Sequence, residues 1–363
     1  MKVLVLSNNI DGLHSFRFEV MEAIRKENEL WISCPRGEKT AEFEKIGCVM
    51  SDAELDRRGT NVFADLKLYR YYKKLIKEIK PDIVFTYTIK PNVYGGIACR
   101  KLRVPYVANI TGLGTAVENG GLLQKFTLFL YKKGLKKAKK VFFQNSENRD
   151  FMIDKGVVRS EYDMLPGSGV NLERYAALEY PHGETVDFVF ISRVMSAKGI
   201  DQFLDAAKYI RSKYAFTRFH VCGSCDEDYT EELKMLDEEG VITYHGQVSD
   251  IRTVHGFSAC TVHPTYYPEG MSNVLLESCA SARPIITTDR AGCREIVEDG
   301  VNGYVVKPRD TSDVIAKIEE FLALSWEQRR NMGLAGREKV VKEFDRRIVI
   351  EKYLAEIDGV RGR

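Results

Sequence analysis

The sequence predicts an α/β protein of two domains, each built around a parallel β-sheet. Short apolar segments alternate with helical stretches along most of its 363 residues, which is the pattern of repeated βαβ units. A chain of this length is longer than one hydrophobic core usually supports. A polar, turn-rich connector at Leu165 to Asn171 separates the halves. We therefore expect one domain at 1–170, a second at 171–345, and a terminal helix at 346–363 that could cross back to the first.

Composition excludes several classes of function. Lysine and arginine number 54 against 52 aspartate and glutamate, and this near-neutral balance gives no reason to expect nucleic acid as a partner. The eight cysteines are scattered, and Met1 runs directly into a strand-like segment with no secretory leader, so we expect a reducing, cytoplasmic compartment. No apolar run approaches the roughly 20 residues that span a bilayer, so any membrane contact should be peripheral.

The first half opens with a Rossmann-like strand, loop and helix, at 3–6, 7–13 and about 14–28. The loop contains Gly12 but no G-x-G-x-x-G, so a dinucleotide site is poorly supported. Ligands of parallel sheets bind beyond the carboxyl ends of the strands, which nominates the loops that follow the strands as one wall of a cleft. These loops are 8–13, 88–92 and 109–114; the further strands are 30–34, 83–88, 106–110 and 141–144, and the further helices are 63–79, 93–102 and 122–139.

Arg17, Asn109 and Thr111 are the candidate acceptor-binding residues of this half. Arg17 lies in the first turns of the opening helix, at the ligand edge, and a guanidinium offers a planar fork that binds a phosphate through two hydrogen bonds. A surface arginine is the alternative, because most arginines are exposed. Asn109 lies just before the end of the predicted strand 106–110, and Thr111 directly follows that strand. Both precede the G-L-G at 112–114, where glycine permits a tight turn or a close approach of substrate.

A strongly basic stretch at 121–140 mixes lysines with large apolar residues and contains no acid. A basic amphipathic helix suits an anionic bilayer surface. The alternative is a helix that packs on the sheet and leaves a solvated lysine face. The candidate membrane-docking residues are Lys125, Lys132, Lys133, Lys136 and Lys137.

Two cations mark the ligand edge of the second half. Arg193 follows a strand at 187–192, and Lys198 stands at the head of a helix at 200–214. Because both lie where a parallel strand meets a helix, both should face a ligand. Two cations and a helix N-terminus can neutralise a diphosphate leaving group without Mg²⁺, so we expect no metal or other cofactor. Gly246 ends a further strand and could let a nucleobase lie against the backbone.

The stretch 268–278 consists of a loop followed by a buried helix, with Ser272 as the N-cap. The first amides of this helix carry the positive end of its dipole and form a potential phosphate seat. Glu269 in the loop would hold a transferred sugar, and Glu277 would reach a ribose, because helical side chains lean toward the N-terminus. The alternative is two solvated glutamates near a helix start. The candidate donor-binding residues here are Gly270, Met271, Ser272, Asn273 and Glu277.

Two local patterns resemble metal sites but are better explained otherwise. Cys222 and Cys225 have C-x-x-C spacing, yet no second pair or histidine cluster accompanies them, which favours incidental cysteines in a turn over zinc or redox chemistry. Asp226 and Asp228 have the D-x-D spacing of metal-dependent transferases. They also suit the acidic first turn of a helix at 229–239, which is the interpretation we favour.

Glu269 and Glu277 stand eight positions apart, and this spacing resembles the E-x7-E signature of retaining family-four glycosyltransferases, which have the GT-B fold of two Rossmann-like domains facing a central cleft. Arg193 and Lys198 resemble the diphosphate-binding cations of that family, and the order G-x-x-E-I-V-x-D-G-x-N-G at 292–303 looks like the family pattern. The resemblance extends from the first strand to about residue 306. It implies a UDP-sugar donor, Glu269, Arg193 and Lys198 as catalytic residues, and a donor site that includes Gly12.

The first half is closest to a subgroup that extends polyprenyl-diphosphate-linked sugars, since it carries L-x-x-F-R at 13–17 and G-L-G at 112–114. That resemblance implies a lipid-linked glycan acceptor in the assembly of a cell-surface polysaccharide or glycoconjugate, and an enzyme that docks on the anionic cytoplasmic face of the inner membrane. A non-hydrolysing UDP-sugar epimerase and a transferase with a soluble acceptor are the alternative enzymes. A degenerate, non-enzymatic membrane adaptor would have lost the donor cations and glutamates that this sequence keeps.

Overall fold

The computed structural model describes residues 1–53, 62–114, 117 and 120–362. They form two compact units. Unit 1 comprises Met1–Ser168 and Arg347–Arg363, and unit 2 comprises Gly169–Arg346. The chain therefore leaves unit 1 once and returns to it with its last helix. The limits predicted at 170 and 345 fall beside the observed ones.

The described residues of unit 1 form a sheet of seven parallel strands in the order β3-β2-β1-β4-β5-β6-β7. A parallel sheet needs a crossover between successive strands, and helices supply most of them here. The strands are β1 (Lys2–Leu6), β2 (Glu29–Cys34), β3 (Val49–Asp52), β4 (Ile83–Tyr87), β5 (Tyr106–Ile110), β6 (Lys140–Phe143) and β7 (Tyr162–Met164). The helices are α1 (Ile10–Glu27), α2 (Thr40–Lys45), α3 (Val62–Ile79), a π-helical turn (Pro91–Gly95) that leads into α4 (Gly96–Leu102), α5 (Gly121–Leu135) and α6 (Ser146–Asp154).

Unit 2 has a sheet of six parallel strands, in the order β10-β9-β8-β11-β12-β13. The strands are β8 (Val186–Ile191), β9 (Thr217–Cys222), β10 (Thr243–Tyr244), β11 (Cys260–His263), β12 (Ile285–Thr288) and β13 (Gly303–Val306). The helices are a 3₁₀ turn (Ser196–Lys198) followed by α7 (Ile200–Lys213), then α8 (Thr230–Glu238), α9 (Arg252–Phe257), α10 (Asn273–Ala280), α11 (Thr311–Ala323) and α12 (Trp326–Glu343). The last helix of the chain is α13 (Arg346–Arg361).

Helices pack on the sheets and bury their central strands, as all-parallel sheets require. In unit 2, strand β8 is buried along its full length. Along α7, residues Ile200, Phe203, Ala207 and Ile210 recur at helical spacing and are all buried in the core of unit 2. These observations confirm the predicted α/β class with two parallel sheets.

Edge strands and helix ends differ from the sequence prediction. The edge strands β3 and β7 escape the apolar pattern because they are short and partly exposed. The helix expected at 122–139 ends at Leu135, and the charged stretch at 326–357 divides into α12 and α13 around Phe344 and Asp345. Within the described ranges, no helix is both long and apolar enough to cross a membrane.

Helix α13 packs on the sheet of unit 1. The ring of Tyr353 is buried and stacks on Phe85, with 5.0 Å between ring centroids. The Glu356 carboxylate forms ion pairs with both Lys139 and Lys140. The terminal helix is therefore part of the core of unit 1. The two lysines are bound to this helix through their ion pairs with Glu356.

Candidate active site

The carboxyl ends of two neighbouring strands in unit 2 bring the main sequence-predicted residues together. Arg193 follows β8, Lys198 ends the 3₁₀ turn before α7, and Glu269 lies in the loop between β11 and α10. Strands β8 and β11 are adjacent in the sheet, and the carboxyl ends of parallel strands meet at one edge. This topology places these loops at one edge of the sheet, and the binding of a ligand at that edge stays a prediction.

Lys198 and Glu269 form an ion pair between the ammonium nitrogen and Oε1. The pair is shielded, since the side chain of Lys198 is 10% exposed and that of Glu269 15% exposed. The same ammonium lies 4.7 Å from the ring centroid of Tyr267, and the guanidinium carbon of Arg193 lies 5.7 Å from it. Both cations therefore lie near the ring of Tyr267, and the Lys198 cation is also paired with the Glu269 carboxylate. The alternative of a freely solvated Glu269 is wrong.

The turn that carries Lys198 is fixed to the segment after β11. The amide of Tyr266 donates to the carbonyl oxygen of Ala197 at 2.9 Å. Gly199 has φ +82°, and a Cβ added there would lie 2.2 Å from the carbonyl oxygen of Pro264. Only glycine fits this left-handed, tightly packed position. Gly199 therefore fixes the position of the backbone from which the neighbouring Lys198 side chain extends.

Arg193 is already paired within unit 2. Its guanidinium donates to the carboxylate of Asp226. Asp226 and Asp228 lie in a bend ahead of α8, whose first-turn acids are Glu231 and Glu232, so their assignment to that first turn is wrong. Instead, Asp226 is the counter-ion of a predicted catalytic arginine, a long-range contact that local sequence patterns do not show. In the parts of the chain that the structure describes, no group of three or more His, Cys, Asp or Glu side chains is placed to hold a metal ion.

The loop before α10 leads into a short helix with Ser272 at the predicted N-cap position, in an extended conformation, but the Ser272 side chain makes no capping hydrogen bond among the described residues. The amide of Ser272 donates to the carbonyl oxygen of Gly292 at 2.8 Å, so this amide is not available to a phosphate in the present conformation. Gly292 has φ +85°, and a Cβ there would lie 2.9 Å from both the Glu269 Cβ and the Gly270 carbonyl oxygen. The Gly292 turn therefore closes directly against the Glu269 loop.

Glu277 lies one turn into α10 and is partly buried. Burial raises the pKa of its carboxyl to about 7, against opposing effects of a hydrogen bond from Tyr175 and of the nearby Arg346 and Arg174 cations. Glu277 is therefore poised to change its charge near neutral pH. Tyr175 comes from the connector after residue 171, and sequence reasoning missed it because nothing in the local pattern links it to α10.

Gly246 follows β10 in a left-handed conformation, φ +61°, with open space where a Cβ would project. Its carbonyl oxygen accepts from the Gly223 amide at 2.7 Å. The neighbouring His245 has a structural contact, because its Nε2 lies 3.0 Å from Nδ1 of His220, whose Nε2 lies 2.9 Å from Oδ1 of Asp187. The open space at Gly246 is compatible with the close approach of a nucleobase, and that approach stays a prediction.

In unit 1, the second part of the predicted first loop, from residue 10 on, is helical. Helix α1 begins at Ile10, so Gly12 lies in its first turn and not in a loop. A Cβ at Gly12 would lie 2.8 Å from Nδ2 of Asn9. The contacting atom is the end of a flexible side chain that can move, and the predicted donor-binding role of Gly12 stays a prediction.

Arg17 and Asn109 are buried in unit 1. The Arg17 guanidinium donates to the carbonyl oxygens of Phe16, at 2.8 Å, and Gly167, at 3.3 Å, so the surface-arginine alternative is wrong. The Asn109 amide donates to the carbonyl oxygen of Thr86 at 3.1 Å, and its side-chain oxygen accepts from the Tyr353 hydroxyl.

Of the three acceptor candidates, Thr111 is the one with accessible surface. Arg17 and Asn109 connect strands, loops and α13 inside the unit. Their burial does not favour a direct contact with an acceptor, which the sequence predicted.

Helix α5 has one buried face and one exposed apolar face. Leu128, Tyr131 and Leu135 pack in the core of unit 1. Large apolar side chains on the other side face solvent: Leu122 is 84% exposed, Leu123 51%, Phe126 55% and Phe129 53%. Of the predicted docking lysines, Lys125, Lys132 and Lys133 lie on the helix, Lys136 caps its end, and Lys137 follows it.

Two family models match this chain, one for each half. The model described as "Glycosyl transferases group 1" matches residues 180–339. The model described as "Glycosyl transferase 4-like" matches residues 2–145. Together they span the two predicted domains.

Two curated relatives are similar over most of the chain. One is the N,N'-diacetylbacillosaminyl-diphospho-undecaprenol alpha-1,3-N-acetylgalactosaminyltransferase of Campylobacter jejuni, 25% identical and covering 99% of both chains. Another is the capsular polysaccharide biosynthesis glycosyltransferase CapM of Staphylococcus aureus, 25% identical over 84% of this chain and 85% of that one.

Solved structures share the whole architecture. A glycosyltransferase from Rickettsia africae aligns with a TM-score of 0.82 at 17% identity, over 99% of this chain and 98% of that one. HepE of Anabaena, solved in complex with UDP and glucose, aligns with a TM-score of 0.80 at 17% identity, over 99% of each chain. This likeness confirms the predicted fold of paired Rossmann-like domains.

Proposed function

Because this chain belongs to the group 1 glycosyltransferases and has their GT-B fold, we propose that it transfers a hexose or N-acetylhexosamine from a UDP-sugar to a polyprenyl-diphosphate-linked glycan. Its relatives support a place in polysaccharide biosynthesis. The name of the Campylobacter relative specifies a diphospho-undecaprenol acceptor, and HepE was solved with UDP. We include both substrate classes in the proposal for this chain.

One observation carries the proposal: Lys198, Glu269 and Arg193 meet around Tyr267 at the ligand edge of unit 2. A donor diphosphate would exchange with the carboxylates that these cations contact, Glu269 and Asp226. Lys198 and Arg193 would then stabilise the negative charge that develops on the leaving diphosphate. Glu269, released from its ion pair, would bind the hydroxyls of the transferred sugar.

The proposed reaction retains the anomeric configuration. The acceptor hydroxyl attacks the anomeric carbon on the face from which the diphosphate departs. The bond between that carbon and the β-phosphate oxygen breaks as the bond to the acceptor oxygen forms, and the β-phosphate takes the acceptor proton as UDP leaves. No protein general base is required, which fits a site whose two carboxylates, Glu269 and Asp226, are already paired with Lys198 and Arg193.

The proposed donor site continues along α10. Glu277, oriented by the Tyr175 hydroxyl, would accept hydrogen bonds from the ribose. Gly270, Met271 and Asn273 border the start of the helix, where the positive end of the dipole favours a phosphate. The Ser272 amide would join this seat only if the Gly292 turn opened.

Metal independence is also part of the proposal. Two cations and the α10 N-terminus supply the positive charge that an ion supplies in D-x-D enzymes. Asp226, the first acid of that pattern, is bound to Arg193. This pairing supports a structural role for Asp226 in place of a metal ligand.

The proposed acceptor is anchored in a membrane, and α5 supplies a docking surface. The helix follows β5, whose carboxyl end carries Thr111, and runs back toward the start of β6. Its exposed Leu122 and Phe126 lie in the half toward the acceptor edge of unit 1, whereas Lys132 and Lys133 lie in the other half, where the Lys133 ammonium is 5.2 Å from the ring centroid of Phe129. Apolar insertion at one end and attraction of about 1 kcal/mol for each lysine near an anionic surface would combine in peripheral docking on the inner leaflet.

A panel of radiolabelled UDP-sugars, offered with and without a polyprenyl-diphosphate-linked acceptor, tests the function. We expect one sugar to move to the lipid-linked acceptor, and no turnover of that sugar without it. Interconversion of free UDP-sugars without acceptor would favour an epimerase. Transfer to a water-soluble sugar in preference to the lipid would favour a soluble acceptor.

A further inference from the structure

His263, the last residue of β11, is a buried polar side chain that the proposed mechanism does not use. It is 1% exposed, and neither ring nitrogen has a hydrogen-bond partner among the residues that the structure describes. Its backbone is held in place, because its carbonyl oxygen accepts from the Thr287 hydroxyl at 2.9 Å. Buried polar atoms in folded proteins are nearly always hydrogen-bonded, so a pair of unpartnered nitrogens beside a functional site requires an explanation.

His263 stands next to the segment that contacts the turn of the candidate catalytic lysine. The residues that follow it, Pro264 to Tyr266, pack directly on the turn that carries Lys198, through the Tyr266 amide and the Gly199 contact. Burial first, and then the Lys198 cation, lower the pKa of His263 to about 3. The ring is therefore neutral at physiological pH and offers one N–H donor and one lone-pair acceptor.

The Lys198 ammonium has more donors than its one carboxylate partner can satisfy. Lys198 is 8% exposed, so water supplies few acceptors, and a buried ammonium needs partners for its charge. When Glu269 turns to the donor sugar, as the proposed function requires, Lys198 loses the carboxylate. The lone pair of His263 is an uncommitted acceptor on the adjoining segment.

We propose that His263 is a positioning residue for Lys198, whose ammonium donates to the neutral imidazole once Glu269 is released, so that the cation is held at the departing diphosphate. This inference rests on the proposed function. It gives a role to an unpaired histidine at a core position where a phenylalanine would fill similar space. The imidazole does not transfer a proton and contacts the diphosphate only through Lys198.

The test compares His263→Phe, which removes the acceptor, with His263→Gln, which keeps one. The readouts are UDP affinity by titration calorimetry and thermal stability. We expect His263→Phe to weaken UDP binding about 10-fold or more, the scale of a hydrogen bond to a charged group, and His263→Gln to recover most of that loss. Unchanged UDP affinity in a folded His263→Phe variant, or equal losses in both variants, would overturn the proposal.

His255→Phe is the matched control. His255 is also fully buried in unit 2 with neither nitrogen partnered in the described structure, but its neighbouring cation is Arg283 and not Lys198. Phenylalanine keeps the ring that packs edge-on against Tyr175. We expect this variant to change thermal stability without changing UDP affinity. A loss of affinity equal to that of His263→Phe would show a general effect of core histidines.

A measurement without nucleotide separates this inference from the proposed function. In ¹⁵N-histidine-labelled protein, Glu269→Ala removes the acceptor at 269 and should let Lys198 turn to His263, so the acceptor nitrogen of His263 should shift upfield relative to wild type. Adding Lys198→Met in the same background should reverse that shift. Identical His263 spectra in all three proteins would overturn the inference, whereas failure of the wild-type protein to bind UDP would count against the proposed donor alone.

Discussion

Glu277→Gln should stabilise unit 2 at alkaline pH and have little effect at acidic pH. Burial raises the pKa of Glu277 from its ordinary value of 4.5 to about 7, although Tyr175, Arg346 and Arg174 oppose the shift. A carboxyl group with a higher pKa in the folded than in the unfolded protein binds its proton more tightly when folded. The stability that this one group contributes is therefore fully present below pH 4.5, is lost as pH rises through about 7, and is absent above it. Glutamine has no charge to bury, so the variant escapes this loss.

The structure sets the size of this effect. A shift from 4.5 to about 7 corresponds to about 3 kcal/mol, at about 1.4 kcal/mol for each pKa unit. We expect Glu277→Gln to approach this gain at pH 8 and to show almost none at pH 4.5, in calorimetric unfolding at both pH values. Glu298→Gln, at an exposed position, is the control. Its effect on the free energy of unfolding should be the same at both pH values.

The same variant should bind UDP more weakly, because its amide offers one neutral acceptor oxygen to the ribose hydroxyls where the carboxylate offers two charged ones. A loss of about 10-fold is the scale expected for hydrogen bonds to a charged group. Greater stability with weaker UDP binding is the joint signature of a carboxylate buried for function. An equal stability difference at pH 4.5 and pH 8, or none at either, would refute the reasoning from burial.

Three further predictions concern other parts of the molecule. Gly199→Ala should destabilise the protein by more than about 1 kcal/mol and lower turnover, since its Cβ would lie 2.2 Å from the Pro264 carbonyl oxygen; normal thermal stability and kcat would contradict this packing. EDTA should leave turnover unchanged, and a loss restored by Mn²⁺ would instead assign Asp226 a metal. Changing Phe126 and Phe129 to serine should weaken binding to anionic liposomes at high salt, where lysine attraction is screened; unaltered cosedimentation would exclude apolar insertion at α5.

Local patterns were sufficient to predict the two sheets and the gathering of Arg193, Lys198 and Glu269 at one edge. Buried strands have apolar runs that can be recognised in sequence, and parallel topology then fixes which loops share an edge. The pairing of Lys198 with Glu269 could not be predicted, because it joins residues 71 positions apart. The contacts of Asp226 with Arg193 and of Tyr175 with Glu277 could not be predicted either. In both cases the role of the residue depends on its contact and not on its residue type.

The predictions for unit 1 show where pattern reasoning fails. The position of Arg17 at the head of a helix suggested an exposed phosphate ligand, yet the side chain is buried. Asn109 is tied to Tyr353, which lies 244 positions later in a helix that reaches unit 1 only after the chain has passed through unit 2. A lysine-rich composition likewise indicated α5, but the apolar exposure of its first half depends on which face the core covers.

The anomeric configuration of the product tests the central claim most directly. The sugar transferred by the wild-type protein from its UDP-sugar should keep the configuration of the donor, measured by the one-bond carbon–proton coupling at the new linkage. Lys198→Met and Glu269→Gln should each lower kcat by about 100-fold or more, the scale of removing one group that stabilises transition-state charge. An inverted product, or undiminished turnover in both variants, would contradict a retaining transferase built on Lys198, Glu269 and Arg193.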